Sequence, residues 1–235
     1  MKKYYRIAGL LIEMETFGRN AEQAKPYECA CEGKPDIVVD AQWAQNKAHF
    51  DYLSDDDGEY IFAGSSFYRQ LLNFGGMLLH SSCVVKDGYA YLFTASPGTG
   101  KSTHTKLWLK MFGDSAYILN DDKPALRVEN GEWFAYGTPW SGKNDISVSA
   151  RVPVKGIAVL ARGEENVIRR IAGKKAIFGL MEQTARPRNA EDRIKMMELL
   201  DQLLMSVPVW ELHCNMSPEA ALVSYSAMSE AGKAD

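Results

Sequence analysis

Over the first hundred residues the apolar positions fall in short segments broken by Gly, Pro, Asn and Asp, a pattern that predicts a mainly β portion opening with residues 4–15. Asp55-Asp56-Asp57-Gly58 reads as a solvated acidic turn between strands. Ser65 or Ser66 is placed to cap a helix carrying Phe67, Leu71, Leu72 and Phe74, with Gly75-Gly76 as its stop. Two apolar runs, 78–85 and 89–94, are joined by Lys86-Asp87-Gly88, and Asp-Gly between such runs predicts a hairpin. A second hairpin is expected around Asn130-Gly131, flanked by 124–128 and 133–136.

Between them, Leu107, Trp108, Met111 and Phe112 recur at helical spacing, with Gly113 as a stop. Residues 116–119 read as a buried strand ending in Asn120-Asp121-Asp122, and 154–160 and 166–171 as further strands, with Trp210 in an apolar strand of its own. Helices are expected at 174–184, from 189 or 190 to 206, and at 217–231, the last opening with Ser217, Pro218 and Glu219. Met196 and Met197, with Ile194, Leu200, Leu203 and Leu204, form a core-facing stripe.

The composition fits a soluble globular protein: 235 residues, 46% apolar and 24% charged. With 27 basic against 30 acidic residues the net charge is −3, which argues against nucleic acid as the main partner. No run approaches the roughly 20 apolar residues of a membrane span. Lys2 and Lys3 precede a short apolar run, but Arg6 interrupts it and no cleavage site follows, so no leader is expected. Cys29, Cys31, Cys83 and Cys214 lack zinc spacing and read as free thiols of a reducing, cytoplasmic setting. His104 and His213 have no partners at metal-ligand spacing.

The strand over 89–94 runs into Ala95 and then Ser96-Pro97-Gly98-Thr99-Gly100-Lys101-Ser102-Thr103, followed at once by the helix of Leu107 and Trp108. Strand, glycine loop and helix come in the order phosphate binding requires. Gly98 and Gly100 would let backbone N–H groups close on phosphate oxygens at the start of a helix dipole. Lys101 would reach the β and γ oxygens, and the Ser102 hydroxyl would ligate magnesium. Ala95 stands where the full GxxxxGK[ST] pattern has its first glycine. ATP with Mg2+ is the expected ligand. Asp121 and Asp122, at the end of the next strand, can divide the remaining duties: one holds magnesium, the other accepts a proton from an attacking hydroxyl.

These residues resemble the kinases related to the catalytic domain of HPr kinase/phosphorylase. The likeness rests on Leu79-His80-Ser81-Ser82 before a hairpin, on Ser96 to Thr103, and on Asn120-Asp121-Asp122-Lys123-Pro124, and it covers roughly residues 60–225. It implies an α/β fold of the phosphoenolpyruvate carboxykinase-like P-loop kind, with a β-rich amino-terminal part over 1–76 and a catalytic part over 77–235, or one continuous domain. It also implies that His80 points at the transferred phosphate, that Asp121 is the base for the acceptor hydroxyl and that Asp122 is its metal-side partner, although these two roles are interchangeable on the sequence. The expected acceptor is a serine of a protein or peptide, or a small-molecule alcohol. Hexamers occur in the namesake family, so a homo-oligomer fits the resemblance.

The glycine-rich signature that follows the aspartates in the namesake is missing, and the resemblance therefore extends neither to phosphorolysis nor to HPr as substrate. In its place stands Tyr136-Gly137-Thr138-Pro139-Trp140-Ser141-Gly142-Lys143. Here Trp140 could offer a flat apolar face and Lys143 a charge to phosphate oxygens, as in a lid or clamp; equally, the segment reads as a surface turn with a packed Trp. Arg127 and Arg151 are further candidate phosphate contacts, though each reads rather as an ordinary solvated arginine. The competing function is a nucleotide-dependent binding or sensor protein without turnover, against which the two intact carboxylates speak. Plain ATP hydrolysis coupled to motion lacks an evident water-positioning Glu or Gln.

Overall fold

The computed structural model describes residues 2–230 and shows a mixed α/β architecture built on two sheets. The chain opens with β1 (Lys3–Ile7) and β2 (Leu10–Met14), paired antiparallel through Ala8 and Gly9, both at positive φ. α1 (Gly18–Ala24), β3 (Glu28–Cys29), β4 (Ile37–Val39), α2 (Trp43–Asn46) and α3 (Asp55–Leu71) follow, and the strands form a four-stranded sheet in the order β3-β1-β2-β4.

The expected acidic turn at 55–58 is instead the first turn of α3, a correction with a clear cause. Ser54 caps the helix, its Oγ accepting the Asp57 N–H at 3.1 Å, and three carboxylates sit where the helix dipole favours negative charge. Gly58 then lies inside the helix, where a Cβ would come within 2.4 Å of the Trp43 ring. The expected cap at Ser65 or Ser66 is mid-helix; the expected stop at Gly75, at φ 67°, closes a 3-10 turn, Leu72–Phe74, that continues from the end of α3. With α3 as its longest element, the stretch expected to be β-rich is a small sheet covered by helix.

The remaining strands are β5 (Gly76–Leu78), β6 (Ser81–Lys86), β7 (Tyr89–Thr94), β8 (Ala116–Asn120), β9 (Ala125–Glu129), β10 (Glu132–Tyr136), β11 (Arg151–Arg162), β12 (Val167–Ile171) and β13 (Val209–Cys214). With them come α4 (Lys101–Phe112), α5 (Gly173–Met181), α6 (Ala190–Ser206, capped by Asn189) and α7 (Glu219–Glu230). The expected last residue of α7, Ala231, lies outside the described residues. The apolar run over 78–85 is divided: β5 pairs with β9, while β6 pairs with β7 and β8.

These nine strands form one sheet in the order β5-β9-β10-β11-β7-β6-β8, with β13 also on β11 and β12 on β13. One core lies between this sheet and α5 and α6, around Leu92, Ile157, Leu180 and Leu200. A second lies on the opposite face under α4 and α7, around Phe93, Trp108, Trp210 and Met228. A third joins the small sheet and α3 to β9 and β10 through Tyr5, Phe67, Phe134 and Trp140. Each such large side chain contributes roughly 1.5–3 kcal/mol on full burial. Among the described residues no helix is long and apolar enough to cross a membrane, and all four cysteines are free.

Topology decides where chemistry can gather. β7 and β8 are both antiparallel to β6, so they run the same way, and β11 and β13 run parallel to β7 as well. The carboxyl ends of these four strands and the amino end of β6 therefore share one edge, the position where open α/β sheets bind ligands.

Candidate phosphate-binding site

At that edge, β7 passes through Ala95 and the loop Ser96–Gly100 into α4. Gly98 sits at φ 77° and Gly100 at φ 124°, values that other side chains rarely adopt, and a Cβ at either would meet only open space. α4 begins with no side chain capping it, which leaves its first-turn amides without a side-chain acceptor at the end of the loop. The Lys101 amine is folded back, donating to the Ala95 carbonyl at 2.9 Å. Burial lowers its pKa, a shift opposed by the fields of Asp122 and then Asp121. Arg162, at the end of β11, braces the loop from the side, donating to the Gly98 carbonyl at 2.6 Å and the Thr99 carbonyl at 3.4 Å. Clefts of about 490 and 450 Å³ flank the loop, one toward α5 and Gln183, the other toward Leu107, Cys214 and Met216.

The aspartates at the end of β8 lie in a denser setting. Asp121, only 5% exposed, accepts the Ser82 hydroxyl on Oδ1 at 2.6 Å and the Asn144 amide on Oδ2 at 3.1 Å. Ser82 in turn meets Thr105 Oγ1 at 2.8 Å, and Thr105 reaches the carbonyls of Lys101 and Ser102, so a file of hydroxyls ties Asp121 to the first turn of α4. Asp122 is held by His80 Nε2 at 3.0 Å on Oδ1 and by Lys123 Nζ at 3.0 Å on Oδ2. Burial pushes its pKa up, but the His80 hydrogen bond and Lys123 outweigh this and the net shift is downward. Asn120 shapes the corner by accepting the N–H groups of Asp122 and Lys123 on its side-chain oxygen. His80 is fixed through its backbone, its N–H donating to the Gln183 carbonyl at 2.7 Å and its carbonyl accepting Thr94 Oγ1 at 2.8 Å.

The segment after β10 returns to this corner. Asp121 N–H donates to the Ile146 carbonyl, and Val148 N–H to that of Leu119. Gly137 is required there, since a Cβ would fall 1.9 Å from the Val148 carbonyl oxygen. Trp140 offers no face to a ligand: it is 1% exposed, stacked on Phe67 with centroids 4.9 Å apart. Gly142 is held from both sides, its N–H by the Tyr60 hydroxyl at 3.1 Å and its carbonyl by Gln23 at 3.0 Å. Lys143 is exposed at the tip.

The structure thus brings Lys101, Ser102, Asp121, Asp122 and His80 to one sheet edge, with Lys143 on the adjoining loop. Arg127 bonds the Phe74 and Ala8 carbonyls and Arg151 pairs with Glu129, so both are structural. His104 and Cys214 are neighbours at 3.9 Å behind the loop. Burial lowers the pKa of His104 to about 4. Ser82, Asn144 and Arg162 are site residues that the sequence did not single out: Ser82 stood only as a member of the Leu79-His80-Ser81-Ser82 stretch, Asn144 had only its place beside Lys143, and Arg162 gave no signal.

No family model matches the chain. No curated protein matches it in sequence. Among solved structures, the HPr(Ser) kinase/phosphatase from Coxiella burnetii is similar over 66% of this chain and 97% of that one, with a TM-score of 0.39 and 13% identity.

Proposed function

We propose that the chain binds ATP at Ser96, Pro97, Gly98, Thr99, Gly100, Lys101, Ser102 and Thr103 and transfers its γ-phosphoryl group to a hydroxyl. The observation that carries this reading is the meeting of an uncapped glycine loop and its lysine with the Asp121, Asp122 and His80 corner at one sheet edge. The reading includes a phosphoenolpyruvate carboxykinase-like P-loop fold, supported by the order of β7, loop, α4 and β8.

Among the described residues no group of three His, Cys, Asp or Glu is gathered to hold a metal by protein atoms alone. Magnesium fits nonetheless, because it is commonly bound through one or two carboxylates together with substrate phosphates. Ser102 and Asp122 would hold it, and it would screen the phosphate charge. The loop amides and Lys101 bind the triphosphate, and His80 and Lys143 stabilise charge on the moving group. Asp121 orients the acceptor: the acceptor oxygen bonds to the γ-phosphorus as the bond to the β–γ bridging oxygen breaks. The hydroxyl proton passes to Asp121, and ADP leaves.

The deciding experiment is transfer of labelled γ-phosphate with magnesium to serine, mixed hydroxy metabolites and a dephosphorylated cell extract. Wild type is expected to label an acceptor, with Lys101→Ala and Asp121→Asn each lower by about 100-fold or more. Tight nucleotide binding with no acceptor labelled in any mixture would overturn phosphoryl transfer in favour of a nucleotide sensor.

A further inference from the structure

The geometry points to Asn144 as the residue that keeps the acceptor's place on Asp121, an inference that rests on the kinase reading and sharpens it. Both oxygens of Asp121 already have donors, yet the two donors differ in kind. Ser82 is fully buried in β6 and tied onward to Thr105, so Oδ1 is permanently engaged. Asn144 is exposed and sits on a three-residue tip, Lys143 to Asp145. One end of that tip is anchored at Gly142 by Tyr60 and Gln23, the other at Ile146 by the Asp121 N–H. Asp145 within it has φ 50°, a left-handed conformation uncommon outside glycine. Asn144 can therefore leave Oδ2 by turning its side chain while both anchors stay in place.

Whatever takes its position must offer a hydrogen-bond donor, because a carboxylate oxygen left buried without one is penalised. A hydroxyl meets that demand, and an apolar or acceptor-only group does not. Asn144 is thus a positioning and specificity residue: its amide stands in for the acceptor hydroxyl and keeps water off Asp121 until the acceptor arrives.

Two measurements test this. In the first, without nucleotide, a carbodiimide couples glycine ethyl ester to carboxylates, and peptide mass spectrometry reads labelling of Asp121 relative to the exposed Asp201. Loss of one hydrogen-bonded cover in Asn144→Ala should raise Asp121 labelling about two- to tenfold. Equal labelling of wild type and variant overturns the inference whether or not the protein is a kinase. In the second, ADP release from MgATP without acceptor should rise by a similar factor in Asn144→Ala, as water takes the vacated position. If wild type transfers phosphate and the uncovered variant shows no added hydrolysis, Oδ2 is not the acceptor's seat.

Discussion

The two halves of the site, the glycine loop and the aspartate corner, are built on opposite plans. At Gly98 and Gly100 the backbone is held in conformations that only glycine adopts freely, and the space in front of it is open. At Asn120 to Asp122 nearly every polar group has a partner from another strand or loop: Ser82, Asn144, His80, Thr138. On the proposed reading the loop would take its partners from the ligand, whereas the corner is a preassembled network in which a ligand would have to replace something already there. That difference teaches which kind of damage each half can absorb.

The largest expected effect lies behind the loop. His104 of α4 is buried beside Ser224 and Trp108 and is held neutral, its pKa lowered from 6.5 to about 4. A depressed folded pKa means the unfolded chain binds the proton first. The contribution of a neutral His104 is therefore complete above about pH 6.5 and is lost as pH drops toward 4, by up to about 3 kcal/mol. Glu59 works against this, since burial raises its carboxyl to about 7 and so favours the fold as pH falls. Urea denaturation of wild type and His104→Gln across that window should therefore differ by the His104 share, the variant losing less stability on acidification; parallel curves assign the loss elsewhere.

Next comes Gly100→Val, which forces a β-branched residue to φ 124° and puts methyl groups in the open space. Calorimetry should show nucleotide affinity lower by about ten- to 100-fold, and the backbone strain of about 1–3 kcal/mol should lower the melting temperature by a few degrees. Smallest in its effect on the loop is Ser82→Ala, which strands Asp121 Oδ1 and leaves Thr105 to the carbonyls of Lys101 and Ser102. It should lower stability by about 1–3 kcal/mol while changing nucleotide affinity less than about twofold. A parallel collapse of affinity would break the comparison and make loop and corner a single unit, coupled through the hydroxyls of Ser82 and Thr105.

The same contrast explains what could be read from the chain. The loop was legible because its requirements are local: positive φ, a lysine, a hydroxyl and a helix start in consecutive residues. The hairpins at Asp87-Gly88 and Asn130-Gly131 were legible for the same reason, each pair having positive φ at both residues. The start of α3 was not, because Asp-Asp-Asp-Gly suits a turn as well as a capped first helical turn, and only the Trp43 ring against Gly58 requires glycine there. Trp140 was ambiguous because a Pro- and Gly-flanked tryptophan looks the same whether it faces solvent or packs on Phe67. The partners of Asp121 come from β6 and from the loop after β10, and no spacing along the sequence records those pairings.

The grip of Tyr60 and Gln23 on Gly142 bears on the order in which the molecule assembles. These contacts join residues 82 and 119 positions apart, across the core shared by the small sheet and β10. Contacts of such long reach close late in folding, since the intervening chain must first be ordered. The bend from β7 into α4 is local in sequence, but Arg162 braces it from 63 and 64 positions away, so loop and corner alike are completed only as distant parts of the chain close on them.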